Sequence, residues 1–209
     1  MNYKILIVDD HLVIKAGVSI ILNNEINDLD ISYSKDYFET LKCVKTNVYD
    51  LIILDINIPG GRSTDMIVEI KSFLPKVKIL MFSAYEEVSY ALRYIYAGAD
   101  GYLNKLSGEE KIIEAVKSIM NSGKYLTAEI VNKLNTFHRN DEPINPFDKL
   151  SARELEITKF LVKGKGNLEI SNYLNIKMST VSTYKNRVFE KLEINNLVEL
   201  IEKHTLFFD

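Results

Sequence analysis

Lys4–Ile5–Leu6–Ile7–Val8–Asp9–Asp10 is the stretch on which the fold turns. Four apolar residues in a row, three of them β-branched, run straight into two carboxylates. A strand that is apolar on both faces needs cover on both faces, which is the situation of a parallel sheet. The same grammar recurs at Asp50–Leu54, followed at once by Asp55, and at Val77–Phe82. Asp30–Ser34 and Tyr102–Leu103 are weaker strands of the same kind. Helical patterns fill the gaps at about 12–24, 36–46, 63–73, 86–97 and 107–121, and Ser107 with Glu110 forms a capping-box pattern for the last. Five strand–helix units in about 120 residues predict an α/β fold, a doubly wound five-stranded parallel sheet of the flavodoxin-like order 2-1-3-4-5.

Beyond residue 122 the pattern changes. Residues 123–137 suggest one extra helix, and 138–147 hold two prolines among polar residues, which reads as a linker. No strand pattern follows. Ser151 and Glu154 form a second capping box opening a helix to about Lys163; glycines at 164 and 166 interrupt it, and helices follow at about 167–174, 178–192 and 195–204. The expected domains are 1–122, a helix and linker at 123–146, and a small all-α domain at 147–209.

Composition narrows the function classes. The 209 residues are 46% hydrophobic and 26% charged, which excludes disorder and fibrous repeats for the whole chain. No apolar run approaches the roughly 20 residues of a membrane span, and a single cysteine, Cys43, makes neither an internal disulfide nor a zinc site. A cytoplasmic protein is expected. Residues 1–145 carry 16 Lys/Arg against 20 Asp/Glu, net −4, and residues 146–209 carry 10 against 9, net +1, which together give the −3 of the chain. That asymmetry is too mild to identify a nucleic-acid partner, so local patterns must.

In an open α/β sheet, ligands gather beyond the carboxyl ends of strands where strand order reverses, here between the first and third. Asp9, Asp10 and Asp55 meet there. Three carboxylates repel, and a hard divalent cation resolves the conflict; an all-oxygen site with room for water suits Mg2+. Lys105 follows the fifth strand and Ser83 ends the fourth. An aspartate, serine or lysine alone at such a place is ordinarily a solvated turn residue, a cap or a surface charge; five along one edge point to chemistry. A dinucleotide site is the rival on such a fold, but His11–Leu12–Val13 supplies no glycine-rich turn, and the acids repel a pyrophosphate. His11, next to the acidic pair, invites a reading as a metal ligand, but it reads better as a solvent-facing loop residue, and Cys43 as a small apolar residue on the second helix.

These residues resemble the receiver domain of a bacterial two-component response regulator: Asp9–Asp10, Asp55 with Pro59 four residues on, Ser83–Ala84, and Gly101–Tyr102–Leu103–Asn104–Lys105. The resemblance implies that Asp55 accepts a phosphoryl group from a sensor histidine kinase. It implies Asp10, Asp55 and the backbone carbonyl of Asn57 on Mg2+, with Asp9 supporting through water. Lys105 and Ser83 then bind phosphoryl oxygens, and Tyr102 is the aromatic that moves on activation. Ser63 stands where such receivers carry glycine. A carboxylate nucleophile taking a phosphoryl group in line needs little beyond positioning and charge neutralisation, which these residues offer.

On the third helix of the second half, Val181, Tyr184, Val188 and Leu192 define an inward face at spacings of three and four. Ser179, Ser182, Thr183, Asn186 and Glu190 then face outward, flanked by Lys185, Arg187 and Lys191. Hydroxyls and an amide bordered by cations suit a helix in a major groove, the amide reading base edges and the cations meeting phosphate. An ordinary solvated helix face has the same composition. Leu150–Ser151–Ala152–Arg153–Glu154, Gly164, Glu169–Ile170, Thr180–Val181 and Lys191–Leu192 resemble the LuxR/FixJ-type helix-turn-helix, which implies that 167–174 is the scaffold helix and 178–192 the recognition helix. DNA contacts are expected from Ser179, Thr180, Ser182, Thr183, Lys185, Asn186, Arg187 and Lys191. Gly166 takes the scaffold cap, and Lys177 stands at the usual serine cap of the recognition helix, so Ser179 is expected to cap in its place and start that helix later.

Over the whole chain the resemblance is to response regulators of the NarL/FixJ class. It implies a transcription regulator that binds double-stranded DNA, dimerises on phosphorylation, and is no enzyme beyond phosphorylation and dephosphorylation at its own Asp55. The alternative is a phosphorylation-independent DNA-binding protein whose first domain serves dimerisation.

Overall fold

The computed structural model describes residues 2–61, 64–84, 87–140, 143 and 145–208, and at 87–90, 136–140 and 206 the backbone alone. Ser63, the first residues of the helices expected at 63 and 86, and linker positions 141, 142 and 144 lie outside that set. The chain divides into two compact units, residues 1–139 and 140–209.

The first unit alternates β1 (Tyr3–Val8), α1 (Leu12–Glu25), β2 (Leu29–Ser34), α2 (Tyr37–Thr46), β3 (Leu51–Asp55), α3 (Asp65–Phe73), β4 (Lys78–Ser83), α4 (Glu87–Tyr96), β5 (Gly101–Asn104) and α5 (Glu109–Ser122), and ends with α6 (Ala128–Asn140). All strand pairs are parallel, in the order β2-β1-β3-β4-β5. Period-two alternation splits the apolar runs between two layers. Leu6, Val8, Ile52, Leu54, Ile79 and Met81 join α2, α3 and α4 in one buried cluster. Ile5, Ile7, Leu51, Ile53, Leu80 and Phe82 meet α1 and α5 in the other. Strands that looked uniformly apolar are thus alternating strands with a core on each side.

The capping box expected at Ser107 does not form. The Asn104 side chain accepts from the Leu106 amide at 2.7 Å and the Asn104 carbonyl from the Ser107 amide at 2.9 Å. That turn carries the chain one residue further, so Gly108 caps α5 without a side-chain bond. At Gly101 a Cβ would stand 2.9 Å from the Tyr125 carbonyl oxygen and 3.0 Å from Leu80, so only glycine admits that close approach.

The second unit holds one 3-10 turn (Pro146–Lys149) and helices α7 (Ala152–Leu161), α8 (Asn167–Leu174), α9 (Met178–Lys191) and α10 (Leu197–Phe208). Phe147, Leu150, Ile157, Leu161, Ile170, Val181, Val188, Leu192 and Leu200 form its own buried core. The span expected as linker is partly structured, since α6 runs to Asn140 and Phe147 is buried. The Ser151 capping box is complete: the Glu154 amide donates to Ser151 Oγ at 3.3 Å and the Ser151 amide to Glu154 Oε2 at 2.7 Å. Ser179 does not cap α9. Lys177 holds the cap position and its carbonyl accepts from the Thr180 and Val181 amides, so the helix starts at Met178 and Ser179 lies inside its first turn. No helix among the described residues is long and apolar enough to cross a membrane.

Candidate phosphorylation site and nucleic-acid interface

Strand register builds the acidic site. Val8 pairs Leu54, Asp55 pairs Phe82, and Ser83 pairs Asn104, so the residues just past these positions emerge along one sheet edge. Lys105 bridges the group: its Nζ lies 2.6 Å from Asp9 Oδ2 and 2.9 Å from Asp55 Oδ2. The Lys105 amide also donates to the Ser83 carbonyl at 2.7 Å, tying β5 to β4 beside the site. Asp9, Asp55 and Ser83 are buried, while Asp10 and Asn57 are exposed, so the pocket has a closed floor and an open lip. The Asn57 amide donates to Asp55 Oδ1 at 3.3 Å, a long bond to the Asp55 carboxylate.

Burial pushes the Asp55 carboxyl above its usual range, against the pull of the Lys105 ammonium and the Asn57 amide; Asp9 adds to the rise. Burial also draws the Lys105 ammonium down, but its contacts with Asp9 and Asp55 outweigh it and hold the group above its usual range. Lys105 is therefore a fixed cation.

Asp9, Asp10, His11 and Asp55 each bring one donor atom within 4.8 Å of the others. The buried Asp9 Oδ2 has no aligned hydrogen bond among the described residues, its neighbour Lys105 meeting it as an ion pair. Clustered carboxylates with such an oxygen fit a hard divalent cation. His11 is exposed as expected, but its Nδ1 lies 2.7 Å from Asp10 Oδ1 and 3.2 Å from Asp9 Oδ1, a pairing that sequence reasoning passed over. Adjacency to two aspartates was the available signal. Tyr102 is fully buried, its ring centroid 6.5 Å from that of Tyr94.

On α9 the inward face is as the spacing predicts: Val181, Val188 and Leu192 are buried and Tyr184 half-buried. Ser179, Thr183, Asn186, Arg187 and Glu190 are exposed; Thr180, Ser182 and Lys185 are partly so. Two expected contact residues have other work. Ser182 Oγ accepts from Asn167 Nδ2 at 3.0 Å and donates to the Met178 carbonyl, joining the α8 start to α9. Lys191 Nζ lies 2.7 Å from the buried Glu154 Oε2 and donates to the Lys149 carbonyl at 3.3 Å, so it secures α9 to α7. Charge type alone could not separate Lys191 from its neighbours, because its partner sits 37 residues earlier. The Gly166 cap of α8 is completed by Glu169, whose Oε2 accepts from the Gly166 amide at 2.9 Å.

Comparison with known proteins agrees with both halves. Residues 5–117 match the response regulator receiver domain and residues 148–203 the luxR family of bacterial regulatory proteins. The chain is 34% identical over 209 residues to the oxygen regulatory protein NreC of Staphylococcus carnosus, covering 95% of each. It is 32% identical over 206 residues to the fimbriae Z protein of Escherichia coli K12, covering 98% of this chain and 97% of that one. Among solved structures, RcsB of Salmonella enterica serovar Typhimurium bound to a promoter has a TM-score of 0.76 at 19% identity, with 99% of each chain covered; it shares the fold.

Proposed function

The chain belongs to the DNA-binding response regulators that join a receiver domain to a LuxR-type helix-turn-helix domain, and from that premise we propose that Asp55 is its phospho-acceptor. The protein is a transcription regulator and not a catalytic enzyme, and its receiver implies a kinase as donor. The observation that carries the site assignment is the Lys105 ammonium poised 2.9 Å from Asp55 and 2.6 Å from Asp9.

Each residue then has a task. An Asp55 carboxylate oxygen attacks phosphorus in line as the donor's bond to phosphorus breaks, giving an acyl phosphate and the freed donor. Lys105 and the Ser83 hydroxyl take phosphoryl oxygens, the lysine offsetting charge that builds there. Asp10, Asp55 and the Asn57 carbonyl would hold Mg2+, with Asp9 behind them. That ion supplies charge neutralisation for the incoming phosphoryl group. Tyr102, buried beside Tyr94, is the group whose rearrangement reports phosphorylation to the surface.

On DNA, Asn186 reads a base edge from the middle of the exposed α9 face, with Ser179, Thr180 and Thr183 at its amino-terminal end. Lys185 and Arg187 meet phosphate. Ser182 and Lys191 serve mainly to set the pose of the helix. The phosphorylated form acts as a homodimer, the donor is a sensor histidine kinase, and the protein works in the cytoplasm.

Acetyl phosphate with Mg2+ should add one phosphoryl group, and Asp55→Asn should abolish the addition. Intact-mass spectrometry reads the result, and undiminished labelling of Asp55→Asn would reject the assignment.

A further inference from the structure

Lys15 lies on α1, and it is a lysine in an unusual place: 8% exposed, with its Nζ donating to the Asp9 main-chain carbonyl at 2.7 Å. Among the described residues it makes no ion pair with a carboxylate. A buried ammonium served by one neutral acceptor is costly unless something nearby repays it. Two of the site's three carboxylates, Asp9 and Asp10, are on the loop it grips, and the third, Asp55, ends the neighbouring β3.

The surroundings hold Lys15 in place. Ser19 Oγ donates to the Lys15 carbonyl at 2.7 Å, and Tyr33 OH, from β2, donates to Ser19 Oγ at 2.9 Å. With Lys15 in place, all polar points of Asp9 are engaged. Its amide donates to the Ser34 carbonyl at 3.2 Å, and its Oδ1 accepts from the His11 amide at 2.8 Å. Its Oδ2 faces Lys105, and its carbonyl faces Lys15. The peptide carbonyl is the one of these that belongs to the Asp9–Asp10 link. Fixing its plane fixes where the chain hands over to Asp10, an exposed carboxylate whose Oδ1 is met at 2.7 Å by the solvent-facing His11 imidazole.

We propose that Lys15 is a positioning residue of the phosphorylation site, orienting the Asp9–Asp10 link so that the three carboxylates take a divalent cation tightly. The proposal rests on the reading of Asp55 as phospho-acceptor with Mg2+ beside it. Groups that orient metal ligands from behind commonly change metal affinity by about 10-fold or more when removed.

The test is calorimetric titration of Mg2+ into the unphosphorylated full-length protein, paired with acetyl phosphate labelling across Mg2+ concentrations. Lys15→Met keeps the bulk and loses the donor; Lys15→Arg keeps a donor and the charge. The methionine variant should bind Mg2+ about 10-fold more weakly and need correspondingly more Mg2+ for half-maximal labelling. Its labelling rate at saturating Mg2+ should stay near wild type, and Lys15→Arg should restore affinity. Should Lys15→Met not fold, Lys15→Leu, which also lacks a donor, serves the same comparison. Unchanged or tighter Mg2+ binding in a folded methionine or leucine variant overturns the proposal, since packing or charge alone then accounts for the lysine. Wild-type protein that takes no label overturns instead the underlying reading of Asp55.

Discussion

The Glu154 carboxylate serves two structures at once, closing the capping box of α7 and pairing with Lys191 at the end of α9. Burial raises its pKa, yet Lys191 and Ser151 outweigh burial and hold it below the usual carboxylate range. An acid held low in the folded state stabilises the fold fully above its unfolded pKa, about 4.3, and that contribution fades as pH falls through the folded value. Glu154→Gln keeps the capping geometry, since glutamine also closes such a box, and removes the ion pair. Because the Lys191 side chain is 40% exposed, solvent screens the pair and the expected cost is about 1 kcal/mol at pH 7. Urea unfolding of residues 146–209 should show that difference at pH 7 and little of it near pH 3. An equal deficit at both values would mean that shape, not charge, is what the glutamate provides.

At the scale of the element, α9 separates two kinds of exposed polar residue. An amide placed at a base edge in the major groove is worth about 1–3 kcal/mol of discrimination, so if Asn186 reads DNA as proposed, Asn186→Ala should flatten sequence preference. Lys185→Ala should weaken all sequences alike and lower the salt slope by about one. Binding titrations on target and random DNA at several salt concentrations check both, and equal losses on both DNAs for both variants would show the face misassigned. The inward face of α9 was legible because a helix repeats its environment every three to four residues, and the sheet because three apolar runs each ended at a polar edge and two weaker strands kept the same spacing between helices. The helix starts at Gly108 and Lys177 were not, because a cap depends on the turn before it: Asn104 claims the backbone groups that Ser107 needed. The roles of Lys15 and Lys191 were hidden for a related reason. A lysine on a helix ordinarily reaches for water, and the partners that draw these two inward come from a loop in one case and from another helix in the other. The acidic trio could be read because each member ends a strand or adjoins one that does.

Across the whole molecule, the first unit's acid excess and the cations flanking α9 give the first unit a motive to compete with DNA. Residues 146–209 alone should therefore bind a target half-site more tightly than the unphosphorylated full-length protein. Phosphorylated full-length protein should exceed both by engaging paired half-sites as a dimer. Fluorescence anisotropy on the three species at one salt concentration decides; an isolated unit no better than the resting full-length protein would leave dimerisation as the whole of activation. Converting a hundredfold preference for rest into one for activity takes about 5 kcal/mol, which is much to ask of one phosphoryl group. The anchoring of α6 eases that demand. Ile130 is fully buried in the first unit, with Leu126 and Leu134 packed against the same cluster, so most of the connecting segment is already spent on the receiver. From Asn140, where α6 ends, to Pro146, where the next turn begins, six chain steps reach at most about 20 Å. A tether so short keeps each unit at an effective concentration in the millimolar range relative to the other. An inhibitory encounter with only millimolar intrinsic affinity is then occupied about half the time, and a signal worth little more than 1 kcal/mol is enough to tip it.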